Sequence, residues 1–349
     1  MNDRRQGDRH GRTELNSVDA SLLSQDGAWI ALSRFIFESA SFPSCHAASI
    51  VQTETGRVLA AWFGGSEESH PDVGVYLSEL DGNGWTSLRQ VAVGFDSNGE
   101  RLPCYNPVLF QPSGGPILLF YKVGTGPQSW WGMLTRSEDD GKTWAAPLRL
   151  PQGILGPIKN KPLELPDHTL VCPSSTEDRG WRVHFETTRD FGETWTKSAP
   201  VNGGRAIGAI QPSLLTLPGG HLRAVGRTRQ GFMFSIDSHD QGRSWGKMSL
   251  TNVANPNSGC DAITLADGRH LLVYNDSSTE RTPLRVAISD DAHNWRPILA
   301  LETGQGEYSY PSLIESRDGA VHIVYTWRRT HIKHAVLELA NRAHAPEAN

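Results

Sequence analysis

The chain has 349 residues and a formal net charge of −5, with 20 % charged residues, 35 glycines and 21 prolines. That length is too great for one simple core and suits a repeat array or two domains, while the turn-rich mix suits an all-β protein. The acidic balance carries no basic footprint, which excludes nucleic acid as an expected partner, and no run of 18 apolar residues is present to span a membrane.

In chain order, residues 1–27 are hydrophilic and aperiodic and predict a mobile polar tail. They hold no apolar stretch of a secretory signal, so a cytoplasmic protein is expected. A-W-I-A-L-S-R-F-I-F at Ala28 to Phe37 then reads as a lone strand. Six hairpin-like units follow, each an apolar strand, a turn and a second apolar strand. They start near Ala47, Asn106, Lys161, Gln211, Asp261 and Tyr310. Their turns carry Asp-Gly, Gly-Gly or Pro-Asp, which supply the backbone that tight hairpins need. Residues 339–349 read as a second loose end.

A second signal interleaves with the hairpins. Trp85, Trp144, Trp195, Trp245 and Trp295 recur at about 50-residue intervals and end variants of one phrase. It reads S-E-D-D-G-K-T-W at Ser137, T-R-D-F-G-E-T-W at Thr188 and S-H-D-Q-G-R-S-W at Ser238. It is shortened to S-D-D-A-H-N-W at Ser289 and decayed to S-E-L-D-G-N-G-W before Trp85. A repeat of this length means stacked supersecondary units. Six hairpins with Trp-ended turns predict a six-bladed β-propeller over residues 28–338, with the Ala28–Phe37 strand closing the last blade so that no raw edge is left. Within the phrase, Asp accepts backbone N–H groups, Gly takes positive φ and Trp packs between sheets, so its role is structural.

The start of each first strand and the end of each second strand share one face of a propeller. That rule nominates a ring of polar and aromatic residues: His46, Asn106, Lys161 with Glu177, Gln211 with Arg227, Asp261, and Tyr310. Such a mix suits an acidic sugar, whose carboxylate meets cations and whose rings stack on aromatics. By strand alternation, Trp130 borders the cleft and Trp131 does not. Cys45, Cys104, Cys172 and Cys260 are scattered singly and read as buried free thiols. His331 and His334 lack a third ligand, so no metal and no cofactor is expected.

The Trp phrase resembles the Asp-box, or BNR repeat, of the sialidase superfamily. The resemblance implies a six-bladed propeller with a carbohydrate site at the centre of one face. Tyr310, in Y-P-S-L, is similar to the superfamily's nucleophilic tyrosine, and Asp72 to its acid. Arg227, and either Arg281 or Arg285, match two of its three carboxylate-binding arginines. The pattern departs at two places: His46 stands where the first-blade arginine would be, and Gln211 where a glutamate would be. The expected function is a sialidase-like glycoside hydrolase acting on an acidic sugar: a sialic acid, a related ulosonate or a uronide. Asp72, Tyr310, His46 and Glu177 are its candidate catalytic residues. Arg227, Arg281, Arg285, Gln211, Asn106, Lys161, Asp261 and Trp130 are its candidate binding residues. Two alternatives stay open: a lyase that β-eliminates a uronide, and a non-catalytic sugar- or protein-binding propeller.

Overall fold

The computed structural model describes residues 27–340; of the expected tails at 1–27 and 339–349, residues 1–26 and 341–349 lie outside that range. Six antiparallel sheets surround a central axis. Blade one consists of Ser44–Gln52, Val58–Gly65 and Gly74–Asp81, with Gly84–Trp85 and Arg89–Ala92 along its outer edge. Blade two is Cys104–Phe110, Ile117–Val123, Trp131–Ser137 and Leu148–Arg149. Blade three is Leu163–Glu164, Leu170–Thr176, Arg182–Thr188 and Thr196–Lys197. Blade four is Ala209–Leu217, His221–Thr228, Phe232–Ser238 and Ser249–Ala254, and blade five is Asp261–Thr264, His270–Asn275, Leu284–Ser289 and Arg296–Glu302. Blade six takes Tyr308–Glu315, Val321–Trp327 and His331–Glu338, and its fourth strand is Trp29–Phe35. The first strand of the described residues thus completes the last sheet, pairing Trp29 with Glu338 and Phe35 with Lys333. The one helical turn among the described residues is Pro218–Gly220.

Each inner strand is covered on both faces by neighbouring blades. Its sequence therefore runs apolar without alternation, as in V-L-A-A-W-F-G-G, every residue of which is buried. The core lies between blades rather than along the axis. Leu59 and Leu77 of blade one meet Leu119 and Tyr121 of blade two, and Val183 and Phe185 of blade three meet Phe234 and Ile236 of blade four. All four cysteines are buried and free.

The Trp phrase forms a turn with one repeated set of bonds. In blade two, Asp139 accepts the Thr143 amide (2.8 Å) and hydroxyl (2.6 Å), and Ser137 Oγ accepts the Gly141 amide (2.8 Å). Asp190 with Thr194 and Asp240 with Ser244 repeat the arrangement. The hydroxyl and amide bonds draw the Asp139 and Asp240 carboxyls down to about 2. The tryptophans then pack on the preceding blade: Trp245 stacks on Phe185 at 3.9 Å, and Trp195 meets Phe120 edge-on at 6.2 Å. Trp85 does so across the closing seam, donating to His334 Nδ1 (3.2 Å).

Candidate active site

One backbone device builds the site. In blades one, two, four and six, the first strand slips register just after it begins. The residue at each slip is left-handed: Ala47 (φ 57°), Asn106 (φ 43°), Gln211 (φ 56°) and Tyr310 (φ 52°). A bulge of this kind re-aims a side chain, and non-glycine residues sit in this region only when their surroundings over-determine it. The repeated N-P, Q-P and Y-P pairs are now explained. Proline follows the slip at Pro107, Pro212 and Pro311, where an N–H would otherwise lack a ladder partner.

Three of these bulges converge near the axis. Arg227 Nη1 donates to the Tyr310 hydroxyl (2.6 Å) and to Gln211 Oε1 (3.1 Å). Its Nε and Nη2 donate to Asn257 Oδ1 at 3.0 and 2.6 Å. The His46 ring lies 4.2 Å from the Tyr310 ring. An aromatic chain continues from His46 to Phe63 (5.7 Å), Tyr105 (5.9 Å) and Trp130 (5.4 Å). Trp130 therefore borders this cluster. Trp131 packs against the core between blades one and two, with Arg149 over its ring at 4.3 Å.

Cations dominate the electrostatics. Arg281 lies 5.8 Å from the Tyr310 ring centre and Lys159 the same distance. Arg281 and Arg329 share one counter-ion, Glu307, at 2.6 and 3.0 Å, and Arg329 also pairs with Glu68. Burial pushes the Glu307 carboxyl up, but Arg281 and Arg329 outweigh it and hold it below the usual carboxylate range. His46 is 2 % exposed and its Nδ1 has no partner. Burial, then Arg329, Arg281, Arg227 and Lys159, drive its pKa well below the ordinary imidazole value, so the ring is neutral.

The other expected site residues are placed differently. Glu177 stands near Arg227 and Arg229. Burial raises its carboxyl above the usual range, and the two arginines and Trp181 oppose the rise without cancelling it. Asp72 is 47 % exposed and faces His70 at 2.8 Å. Slight burial raises its pKa, but the Ser66 hydroxyl and amide and His70 outweigh that and hold it low. In the same loop it is Glu68 that touches Arg329. Lys161 and Asp261 bond each other at 2.7 Å and are further engaged by Ser312 and Ser213. Arg285 pairs with Asp276 at 3.1 Å, so of the two arginines expected in blade five, Arg281 is the one beside Tyr310. Asn106 is buried at the blade-two bulge, next to Tyr105. His331 meets Thr330 and His334 meets Trp85 and His322. Among the described residues, no group of three or more His, Cys, Asp or Glu is arranged to hold a metal ion, and no helix is long and apolar enough to cross a membrane.

Sequence reasoning missed Arg329, Lys159, Glu307 and Trp181. Arg329 lies within the turn after the second strand of blade six, past the strand end that the hairpin rule samples, and its neighbour Arg328 lies over Trp327 and Tyr308. Trp181 lies beneath Arg227 (5.0 Å) and Arg229 (4.2 Å) and directly precedes the third strand of blade three, which the rule did not sample.

Six antiparallel blades with a cationic, tyrosine-centred cluster near the axis define a propeller of the sialidase-like class. A model of the BNR repeat-like domain matches residues 56–323, and the chain belongs to that family. A sialidase of Bacteroides fragilis (strain YCH46) is 24 % identical over 327 residues, covering 78 % of this chain and 57 % of that protein. The chain thus spans little more than half the length of this relative. Among solved structures, a protein of unknown function from Dyadobacter fermentans DSM 18053 superposes with a TM-score of 0.76 at 20 % identity, covering 90 % of this chain and 100 % of the other. The NanB sialidase from Streptococcus pneumoniae superposes with a TM-score of 0.74 at 15 % identity, covering 88 % and 71 %.

Proposed function

We propose that the protein is a sialidase-like glycoside hydrolase acting on an acidic sugar, whose carboxylate is held by Arg227, Arg281 and Arg329. The observation that carries this reading is the bonding of Arg227. It is 6 % exposed, yet its hydrogen bonds go to the neutral oxygens of Tyr310, Gln211 and Asn257. A buried guanidinium without a carboxylate bonded to it, beside two further arginines that are paired with Glu307 and Glu68, favours an anionic ligand. Guanidinium donors match a carboxylate in pairs. Arg329 supplies from blade six the third arginine that blade one lacks.

The roles follow from protonation. Glu177, whose carboxyl is raised, protonates the leaving oxygen as the glycosidic C–O bond breaks. The Tyr310 hydroxyl bonds to the anomeric carbon and passes its proton to the neutral His46. Water then displaces the tyrosyl oxygen, giving its proton to the Glu177 carboxylate, and His46 returns the other proton to Tyr310. Asp72, held ionised by Ser66 and His70, is the poorer acid of the two. The test is release of free sugar from a panel of sialosides, ulosonates and uronides, with no new ultraviolet absorbance.

The neutral His46, together with a glutamine where a glutamate would activate Tyr310, favours a second reading. In it His46 removes the proton beside a uronide carboxylate that the arginines neutralise, and Tyr310 protonates the leaving oxygen. Its signature is the absorbance of a conjugated double bond in the product. If neither chemistry occurs with any of the panel, both enzyme readings fail, and calorimetric binding of the same sugars identifies a non-catalytic lectin-like propeller.

A further inference from the structure

Beneath Tyr310 lies a lysine that the proposed chemistry does not use. Lys159 is 3 % exposed, and its ammonium donates to Asn160 Oδ1 (2.7 Å), the Cys260 carbonyl (2.9 Å) and the Pro311 carbonyl (2.5 Å). Three N–H donors meet three neutral acceptors. These come from the segment entering blade three, the start of blade five and the bulge of blade six. Pro311 directly follows Tyr310, whose left-handed backbone (φ 52°) is unfavourable for a bulky residue unless something holds it. Gly259 completes the fit. A Cβ there would lie 3.1 Å from the Tyr310 ring and 3.2 Å from Lys159 Cε, so the ring and the lysine stem close on the same glycine.

The chain reaches this point by an irregular route held by buried charges. The first strand of blade three is only Leu163–Glu164, and the segment before it has no ladder of its own. The Glu186 carboxylate, 0 % exposed, accepts the amides of Leu155 (3.0 Å) and Gly156 (2.6 Å) and the His184 Nε2 (2.8 Å). Lys122, also 0 % exposed, donates to the Pro157 carbonyl (2.7 Å). Buried polar groups are costly unless they are bonded. Here the bonds of Glu186 and Lys122 fall on the backbone just ahead of Lys159.

We propose that Lys159 is a positioning residue: by holding the Pro311 carbonyl it fixes the Tyr310 bulge and keeps the Tyr310 hydroxyl on Arg227, and Glu186 and Lys122 hold the segment that delivers it. Its catalytic consequence rests on the reading of Tyr310 as a reacting group; the positioning itself does not. Burial draws the Lys159 ammonium down to about 8, with Asp261 and Cys260 opposing and Lys161 and Arg227 reinforcing the fall; His46 also faces it. A neutral amine has two N–H groups for three acceptors, so the tether slackens as pH rises through that value.

The experiment is NMR of the full chain carrying tyrosine labelled with carbon-13 at Cζ, the Tyr310 signal being assigned with Tyr310→Phe. In the unsubstituted protein the Tyr310 signal makes a small shift centred near pH 8, where the Lys159 ammonium loses its proton. In Lys159→Met that small shift is lost, and the signal is displaced or broadened at neutral pH while the other tyrosine signals stay. Lys159→Arg, which keeps the charge and donors, restores part of the original position. If Lys159→Met does not fold, the titration of the unsubstituted protein decides alone. On an active substrate, kcat falls about 100-fold in Lys159→Met with KM within about threefold, the scale of a misplaced reacting group. A Tyr310 signal that ignores both Lys159→Met and pH near 8 overturns the proposal. A displaced signal in a protein that turns over no acidic glycan supports the positioning and removes the hydrolase reading instead.

Discussion

Two repeats run through this propeller, at opposite ends of its blades, and they differ in what they conserve. In blade two, Cys104, Val123 and Trp131 align at one end, and Phe110, Leu118 and Arg136 at the other. The Trp-ended turn follows Ser137 and so lies at the second end, away from the bulge at Asn106. The turns keep their residues: a hydroxyl, an aspartate, a hydroxyl or amide, and a tryptophan in blades two to five, making the same bonds. The bulges keep only their backbone. Ala47, Asn106, Gln211 and Tyr310 share one left-handed conformation and have four unlike side chains. Like residues at equivalent positions mark what the fold needs in each of those four blades. Unlike residues on an identical backbone mark a place where each blade does a different task.

Breaking one residue at each end separates the two roles. The largest effect is expected at the bulge end. Arg227→Ala removes the donor to Tyr310 and Gln211 and should lower kcat/KM on an acidic substrate by about 10²–10³-fold, as for loss of one preorganised donor, which steady-state kinetics on the panel substrates will measure. Gln211→Glu places a carboxylate where Arg227 and Tyr310 already meet, giving Tyr310 a base. If hydrolysis through Tyr310 is the reaction, kcat should rise roughly tenfold; a fall together with an undiminished double-bond product favours elimination.

At the turn end the expected effects are on stability and not on rate. Asp240→Ala should lower stability by about 1 kcal/mol, the net worth of a hydrogen-bonded group, with kcat/KM unchanged; denaturant unfolding and kinetics on the same sample check both. The sign of its pH dependence is fixed. The Asp240 carboxyl sits at about 2 in the folded chain, against about 3.9 for an unperturbed aspartate. Its contribution is therefore complete above about pH 4 and is lost as pH falls towards 2, so the gap between parent and Asp240→Ala should narrow over that window. The smallest effect is at the seam. Trp85→Phe keeps the ring packing but loses the bond to His334, and should cost about 0.5 kcal/mol; an unchanged unfolding midpoint would mean that the seam does not use the bond.

The same contrast explains how far the sequence could be read. The blade count, the hairpins and the closing strand were legible because the turn residues repeat, and repetition survives in one dimension. His46, Gln211, Arg227 and Tyr310 were legible because the hairpin rule maps strand starts and ends to one face. Arg329 and Trp181 were not, since one lies two residues past a strand end and the other directly precedes a third strand. Lys159 was hidden for a different reason. It precedes a blade whose first strand is nearly absent, and only the buried bonds of Glu186 and Lys122 bring it to Tyr310. The rule nominated both Lys161, which lies two residues before its strand, and Asp261, which begins one, but a residue's position does not reveal that two nominees bond each other.

The central claim is that the Arg227, Arg281 and Arg329 cluster binds the carboxylate of an acidic sugar beside Tyr310. A crystal structure of the full chain soaked with N-acetylneuraminic acid and, separately, with a uronic acid tests it most directly. The expected result is a carboxylate within hydrogen-bond distance of at least two of these arginines and a sugar ring against Tyr310. Sugar seated at another place on the propeller, with the three arginines still bonded only to protein, would contradict it.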